Sequence, residues 1–300
     1  MSDGDHAAGV LVLVGTPIGN LGDLAPRAVE ALRSADAICC EDTRRTGRLL
    51  QHAGVERPPL VVVNEHTEAR EVPGVLARLA RGQRVAVVSD AGMPGISDPG
   101  ERLVRAAVTA GHGVEVIPGP SAALAALVTS GLATGRFVFE GFLPRKGAAR
   151  AERLTALAGE PRTVVLYEAP HRLARTVADL ADACGANRRV AVARELTKLH
   201  EEVWRGTLGD AVDWVRAAAP RGELVLVLEG APAAEPPGDA ALVDALREEL
   251  AAGATARDAT RTVATRLDVP RRRVYELATQ LTAAGTARPT DAFSTREWSP

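Results

Sequence analysis

Ser89-Asp90-Ala91-Gly92-Met93-Pro94-Gly95-Ile96-Ser97-Asp98-Pro99-Gly100 comes directly after the apolar run Val85-Ala86-Val87-Val88. The run reads as a buried strand, and the Gly/Pro-rich segment as a long loop at the strand's carboxyl end. Three glycines, two prolines and two aspartates in twelve residues exceed what packing alone asks of a loop. Glycine lets backbone close on a small molecule, and proline fixes the path it takes. In open α/β sheets that edge is where ligands bind.

Two further loops repeat the pattern. Val10-Leu11-Val12-Leu13-Val14 runs into Gly15-Thr16-Pro17-Ile18-Gly19-Asn20-Leu21-Gly22-Asp23, with a helix expected from about Leu24 and Pro26 in its first turn. Val114-Glu115-Val116-Ile117 runs into Pro118-Gly119-Pro120-Ser121, where Ser121 is a candidate N-cap for a helix from Ala122. Strands are expected at 10–14, 36–40, 60–63, 84–88 and 114–117, and helices near 24–34, 43–52, 70–81, 99–110 and 121–131. This alternation predicts βαβ units on a parallel sheet. Beyond the turn-rich segment 130–136, strands at 137–140, 162–167, 189–194, 202–207 and 223–228 with helices at 148–158, 170–183 and 209–218 predict a second, mixed sheet. The fold class is α/β, with one α/β domain over 10–132 and another over 133–230. A Pro/Ala linker over 231–238 leads to a helical tail over 239–286, with helices at 239–252, 255–267 and 270–284 and with Thr255 and Pro270 as start signals.

The chain has 300 residues, enough for two domains. With 46 % hydrophobic but 3 % aromatic residues, its cores must be built from Ala, Val and Leu. A net charge of −2 argues against bulk attraction to polyanions, so any nucleic-acid contact needs a local basic patch. Cys39, Cys40 and Cys184 lack metal-ligand spacing, so no metal and a reducing, cytoplasmic setting are expected. Neither a secretory signal nor an apolar run of membrane-spanning length is seen, and no membrane association is expected. Lys146 and Lys198 are the two lysines in an arginine-rich chain.

The first loop fails as a dinucleotide fingerprint, because Pro17 stands where GxGxxG needs glycine, and no GK[ST] marks a triphosphate-binding loop. A set of ordered motifs remains: Gly15-Thr16-Pro17-Ile18-Gly19-Asn20-Leu21, Glu41-Asp42-Thr43-Arg44, Ser89-Asp90-Ala91-Gly92, Asp98-Pro99-Gly100, Pro118-Gly119-Pro120, Glu140-Gly141-Phe142-Leu143-Pro144, Tyr167-Glu168-Ala169-Pro170-His171-Arg172 and Ala193-Arg194-Glu195-Leu196-Thr197-Lys198. Together they resemble the bacterial 16S ribosomal RNA cytidine 2′-O-methyltransferase family (small-subunit methyltransferase I), within the tetrapyrrole-methylase superfamily. The likeness covers residues 10–230 and extends to the tail. It implies two α/β domains of the tetrapyrrole-methylase type, with an S-adenosylmethionine (SAM) site in the cleft between them. It further implies 16S rRNA in the small ribosomal subunit as partner, and a homodimer. One departure is Met93, where the family's loop commonly carries threonine; the lost hydroxyl removes a hydrogen bond of about 0.5–1.5 kcal/mol.

Residues and resemblance together nominate a site. Asp90 would face the cationic end of SAM or its ribose. Backbone at Ala91, Gly92, Gly119, Pro120 and Ser121 would line the cofactor, with Pro17, Gly19 and Asn20 as the floor. Asp42 and Glu195 are candidate catalytic carboxylates that would take the proton of the acceptor hydroxyl. Candidate RNA contacts are Arg44, Lys146 in the basic-aromatic segment 139–147, His171 and Arg172 at a helix start, and Lys198. Plainer readings stand beside these: Asp42 or Thr43 as a helix cap, Asp90 as a turn cap, Glu195 paired with Lys198, Phe139 and Phe142 buried, His66 a loop residue, and Arg271-Arg272-Arg273 an exposed helix start. The rival functions are a tetrapyrrole C-methyltransferase, and a nonenzymatic RNA-binding assembly factor with a degenerate cofactor cleft.

Overall fold

Apolar runs that carry unpaired backbone groups must pair with one another when buried. The computed structural model describes residues 9–218, 220, 222–232 and 237–285. In it, β1 (Val10–Val14), β2 (Ala37–Cys40), β3 (Leu60–Val62), β4 (Arg84–Val87) and β5 (Gly113–Ile117) form one all-parallel sheet in the order β3-β2-β4-β1-β5. Helices α1 (Pro26–Arg33), α2 (Thr43–His52), α3 (Glu68–Leu79) and α4 (Glu101–Thr109) make the crossovers. Successive strand residues point to opposite faces. Val12, Val14, Ile38 and Ala86 accordingly pack with Leu32 of α1 and Leu50 of α2. Leu11, Cys39, Val85 and Val87 pack with Leu79 of α3 and Leu103 of α4. Strands β4, β1 and β5 are neighbours, so the three Gly/Pro-rich loops leave the sheet side by side.

After α5 (Ala122–Thr129), a second sheet contains β6 (Phe137–Phe142), β7 (Thr163–Glu168), β8 (Arg189–Arg194), β9 (Glu202–Thr207) and β10 (Leu224–Leu228), in the order β6-β7-β10-β8-β9. Only β6 and β7 run parallel; the other pairs are antiparallel. Helices α6 (Ala148–Gly159), α7 (Pro170–Cys184) and α8 (Leu208–Ala218) cover one face. The other face packs Val165, Ala191, Ala193, Val225 and Val227 against α5 and Ile18.

The chain divides after Ala231 into two compact units, the first holding both sheets. The second contains α9 (Asp239–Ala251), α10 (Ala256–Arg266) and α11 (Arg271–Gly285) around its own core of Leu242, Leu246, Ala259, Val263 and Val274. Thr255 caps α10 by accepting the Asp258 N–H at 3.2 Å. The N-terminal eight residues, linker positions 233–236 and the expected tail end at 286 lie outside the described residues. Among the described residues no helix is long and apolar enough to cross a membrane.

Most expected boundaries shift by one or two residues, and three of the shifts bear on the loops of the site. The first helix begins at Pro26, because Leu21–Asp23 forms a 3-10 turn capped by Asn20 and Leu24 is extended. The third begins at Glu68 rather than near 70. Strand β6 continues to Phe142 through a bulge between Phe139 and Gly141, where Gly141 takes φ +65°.

Candidate active site

The loop after β4 is held at both ends. Thr16 and Gly92 exchange backbone hydrogen bonds (Thr16 N–H to Gly92 O 2.9 Å, Gly92 N–H to Thr16 O 3.2 Å), joining it to the loop after β1. At its far end the buried Glu68 carboxylate, reaching over from α3, accepts the Gly100, Arg102 and Leu103 N–H groups at 2.9, 2.9 and 3.2 Å. These are orphan donors of the first turn of α4, so Glu68 caps a helix more than thirty residues away. Between the anchors, Gly92, Gly95 and Ser97 all adopt positive φ. For Ser97 this left-handed conformation is strained, a condition that clusters at ligand clamps.

The anchored loop forms one wall of a cavity of about 350 Å³. Asp90, Ala91, Gly92, Met93, Ile96 and Asp98 face Phe142, Tyr167, Ala193, Leu196 and Val225 of the second sheet's side. A second cavity of about 350 Å³ shares Ile18, Arg45, Asp90, Ala91 and Glu223 with the first and adds Pro17, Gly19, Arg48 and Lys198. Both lie in the size range of small-molecule sites.

Of the five acidic residues that line the first cavity, Glu41, Asp90 and Asp98 cluster on the side of the parallel sheet. Glu41 accepts the Asp90 N–H at 3.0 Å, and Asp90 in turn accepts the Asp42 N–H at 3.2 Å. Arg45 is the partner cation, 3.5 Å from Asp90. Burial pushes Glu41 and Asp90 above the usual carboxylate range. Asp98 is pushed up to about 7, first by burial and then by the Glu41 charge. Such a cluster favours a cation, and the Ile18, Tyr167 and Val225 surfaces favour a flat apolar group. SAM carries both kinds of group, an ammonium and sulfonium at one end and adenine at the other.

The Asp98 shift has a sign that can be measured. Its pKa is raised from 3.8 to about 7 on folding, so the folded chain binds more protons between those values. The stability it contributes is complete below pH 3.8 and is lost as pH rises through about 7. Asp98→Asn is expected to flatten the decline in melting temperature of the ligand-free protein from pH 5 to 8; an unchanged profile would refute this.

The nominated residues divide into several groups. Asp90, Ala91, Gly92 and Ser121 line the first cavity, and Pro17, Gly19 and Lys198 the second. Gly119 and Pro120 line neither cavity; Gly119 packs against Gly15, and Pro120 lies behind Gly92. Asn20 caps the 3-10 turn, and its N–H donates to Thr197 at 3.1 Å, clasping the loops of the two sheets. Ser121 caps α5 through the Leu124 N–H at 3.4 Å.

Both catalytic candidates make local bonds. Asp42 caps α2 through the Arg44 N–H at 2.7 Å, which pulls its pKa down, and Arg44 folds back on it from an exposed position. Glu195 accepts the Lys198 ammonium and the Glu223 N–H, both at 3.0 Å; burial opposes, but these bonds leave its pKa lowered. Neither carboxylate lines either cavity. Arg172 is likewise committed, 3.2 Å from the buried Glu168 and 2.5 Å from the Leu143 carbonyl. Lys146 and His171 are exposed. Phe139 is half-buried edge-on to Tyr167 at 5.0 Å, but Phe142 is half exposed and lines the first cavity.

Residue-by-residue reading misses Glu41, Arg45, Arg48, Asp98, Tyr167 and Glu168. A signal exists for two of them. Arg45 and Arg48 are three apart in α2, which puts them on one face, and that face is the rim of the second cavity.

A profile of the family described as Tetrapyrrole (Corrin/Porphyrin) Methylases matches residues 10–212. A Ribosomal RNA small subunit methyltransferase I of Synechocystis is 49 % identical over 279 residues, covering 92 % of this chain and 100 % of that protein. One of Xylella fastidiosa is 52 % identical over 225 residues, 74 % of this chain and 82 % of that one. Among solved structures, the methyltransferase CobJ gives a TM-score of 0.59 at 24 % identity, over 75 % of this chain and 95 % of that one. Uroporphyrin-III C-methyl transferase from Thermus thermophilus, complexed with S-adenyl homocysteine, gives 0.51 at 20 % identity over 73 % and 96 %. At these identities the structures speak for the fold alone. With its α/β sheets, its paired cavities and these relatives, the chain belongs to the ribosomal RNA small subunit methyltransferase I family of the tetrapyrrole methylases.

Proposed function

We propose that the chain is a SAM-dependent rRNA methyltransferase that methylates the ribose 2′-oxygen of a cytidine in 16S rRNA of the small ribosomal subunit. One observation carries the reading: a cavity rich in carboxylates and apolar surface shares Asp90, Ala91 and Arg45 with a cavity rimmed by Arg45, Arg48 and Lys198. Bound SAM supplies an electrophilic methyl group. Glu41, Asp90 and Asp98 offset its positive charge, and Ile18, Tyr167 and Val225 offer surface to adenine. Arg45 and Arg48 would hold phosphate so that the acceptor hydroxyl lies in line with the methyl carbon. Alignment at roughly 3–3.5 Å supplies most of the acceleration in such transfers. With Asp42 and Glu195 both committed to local bonds, we assign catalysis chiefly to that alignment.

The tetrapyrrole rival rests on structures at 25 % identity and below, whereas relatives at 49–52 % carry the rRNA name. The assembly-factor rival rests on Met93, which lines the first cavity without filling it. A cytoplasmic setting goes with a ribosomal substrate. A homodimer would cover Val116 of the edge strand β5 and Leu124 and Val128 of α5, which are exposed.

The test is methyl transfer from tritiated SAM to 30S subunits that lack the modification, with the labelled nucleotide mapped by nuclease digestion and mass spectrometry. A single 2′-O-methylcytidine in 16S rRNA is expected. Label on a base or on a tetrapyrrole precursor, or no transfer, overturns the proposal.

A further inference from the structure

We infer that Arg172 and Arg150 are positioning residues that act on RNA through the loop joining β6 to α6, holding it so that Lys146 meets the substrate. The inference rests on the rRNA-methyltransferase reading. Arg150 is buried although it opens α6. Its guanidinium donates to Asp179 at 2.7 Å, to the Pro144 carbonyl at 2.9 Å and to the Thr176 hydroxyl at 3.0 Å. Arg172 donates to the adjacent Leu143 carbonyl at 2.5 Å and pairs with Glu168. Thr176 closes the circuit by donating to Glu168 at 2.5 Å. Two arginines from different helices therefore grip consecutive carbonyls at the start of the loop. Glu140 on β6 adds an ion pair to Arg153.

Charge balance separates gripping from binding. The charges of Arg150 and Arg172 are matched by Glu168 and Asp179, and both guanidinium groups are covered and engaged, although the exposed Arg175 also reaches Asp179 at 3.6 Å. Arg145 and Lys146, just beyond the gripped carbonyls, are exposed and have no ion-pair partner among the described residues. Gly147, at φ +82°, then turns the chain into α6. Glu168 borders the first cavity, but its side chain is 1 % exposed and turned into the network, so a change at Arg172 leaves the cofactor surface in place.

The test compares K146A, R172K and the double variant of the full chain. Binding to 30S subunits is measured against salt, and SAM affinity by calorimetry. K146A is expected to weaken RNA binding and to reduce the salt slope by about 1. R172K keeps the charge but lacks the planar fork that reaches a carboxylate and a carbonyl together. It is expected to show the same loss of affinity and slope with unchanged SAM affinity, and the double variant is expected to be no weaker than K146A. Wild-type RNA binding by R172K, or losses that multiply in the double variant, would overturn the inference. If K146A changes neither quantity while 30S subunits are still methylated, the inference falls and the activity stands. Should R172K melt well below wild type, Thr176→Val, which removes one hydroxyl from the circuit, makes the same comparison.

Discussion

Asp90→Ala is expected to lower SAM affinity by about 100-fold or more, read by titration calorimetry. Asp90 lines both cavities and is three-quarters covered. Truncation acts three times over. It removes a counter-charge from the cationic cofactor, leaves the Asp42 N–H without its acceptor, and frees Arg45 to repel the sulfonium. Breaking one partner of a hydrogen-bonded charge pair costs about 2–5 kcal/mol, which brackets the expected loss. Asp90→Asn keeps an oxygen for the Asp42 N–H and should recover part of the binding. Equal affinity in wild type and Asp90→Ala would remove Asp90 from the cofactor site.

The second large effect is on folding. Gly15 and Gly119 end neighbouring strands and touch backbone to backbone: a Cβ on Gly119 would lie 2.8 Å from Gly15 Cα and C, and one on Gly15 would lie 2.6 Å from Gly119 N and Cα. No side-chain rotation relieves such a contact. Forced overpacking costs about 1–3 kcal/mol, occasionally more, and backbone neighbours place Gly119→Ala at the upper end. For a unit of this size that is a fall in melting temperature of roughly 6–12 °C. Gly47→Ala is the internal control. Gly47 lies inside α2 with nothing within 4 Å of a built Cβ, so alanine there should stabilise by about 0.5–1 kcal/mol. A Gly119→Ala protein that melts like wild type would show that the two loops separate freely.

Much of the architecture is legible in the sequence because its signals are local. Val-rich runs buried on both faces and Gly/Pro punctuation are visible in any short window, and they give both sheets and the three adjacent loops. The features that escape depend on distance along the chain. Glu68 looks like an ordinary surface residue of a helix start, and its role as a cap exists only once α3 and α4 pack together. The bulge at Glu140 shifts Phe142 into the cavity wall, which no alternation pattern in β6 announces. Arg172 reads as a cation at a helix start because nothing in the sequence shows that Glu168 and the Leu143 carbonyl will take it up. The site's carboxylates lie inside the motifs, but which of them share a cavity is decided by folding.

The position of β10 has a consequence for how the protein is made. It is the last strand of the first compact unit and also the centre of its sheet, bonded to β7 on one side and β8 on the other. The parallel sheet has all its strands once Ile117 has been synthesised, whereas β7 and β8 wait for Leu228. At roughly 5–20 residues per second, the stretch from β8 to the end of β10 leaves two apolar strand edges open for several seconds on the ribosome. Open edges of this kind recruit other chains. A truncation ahead of Leu224 therefore yields an aggregation-prone half-sheet instead of a smaller enzyme.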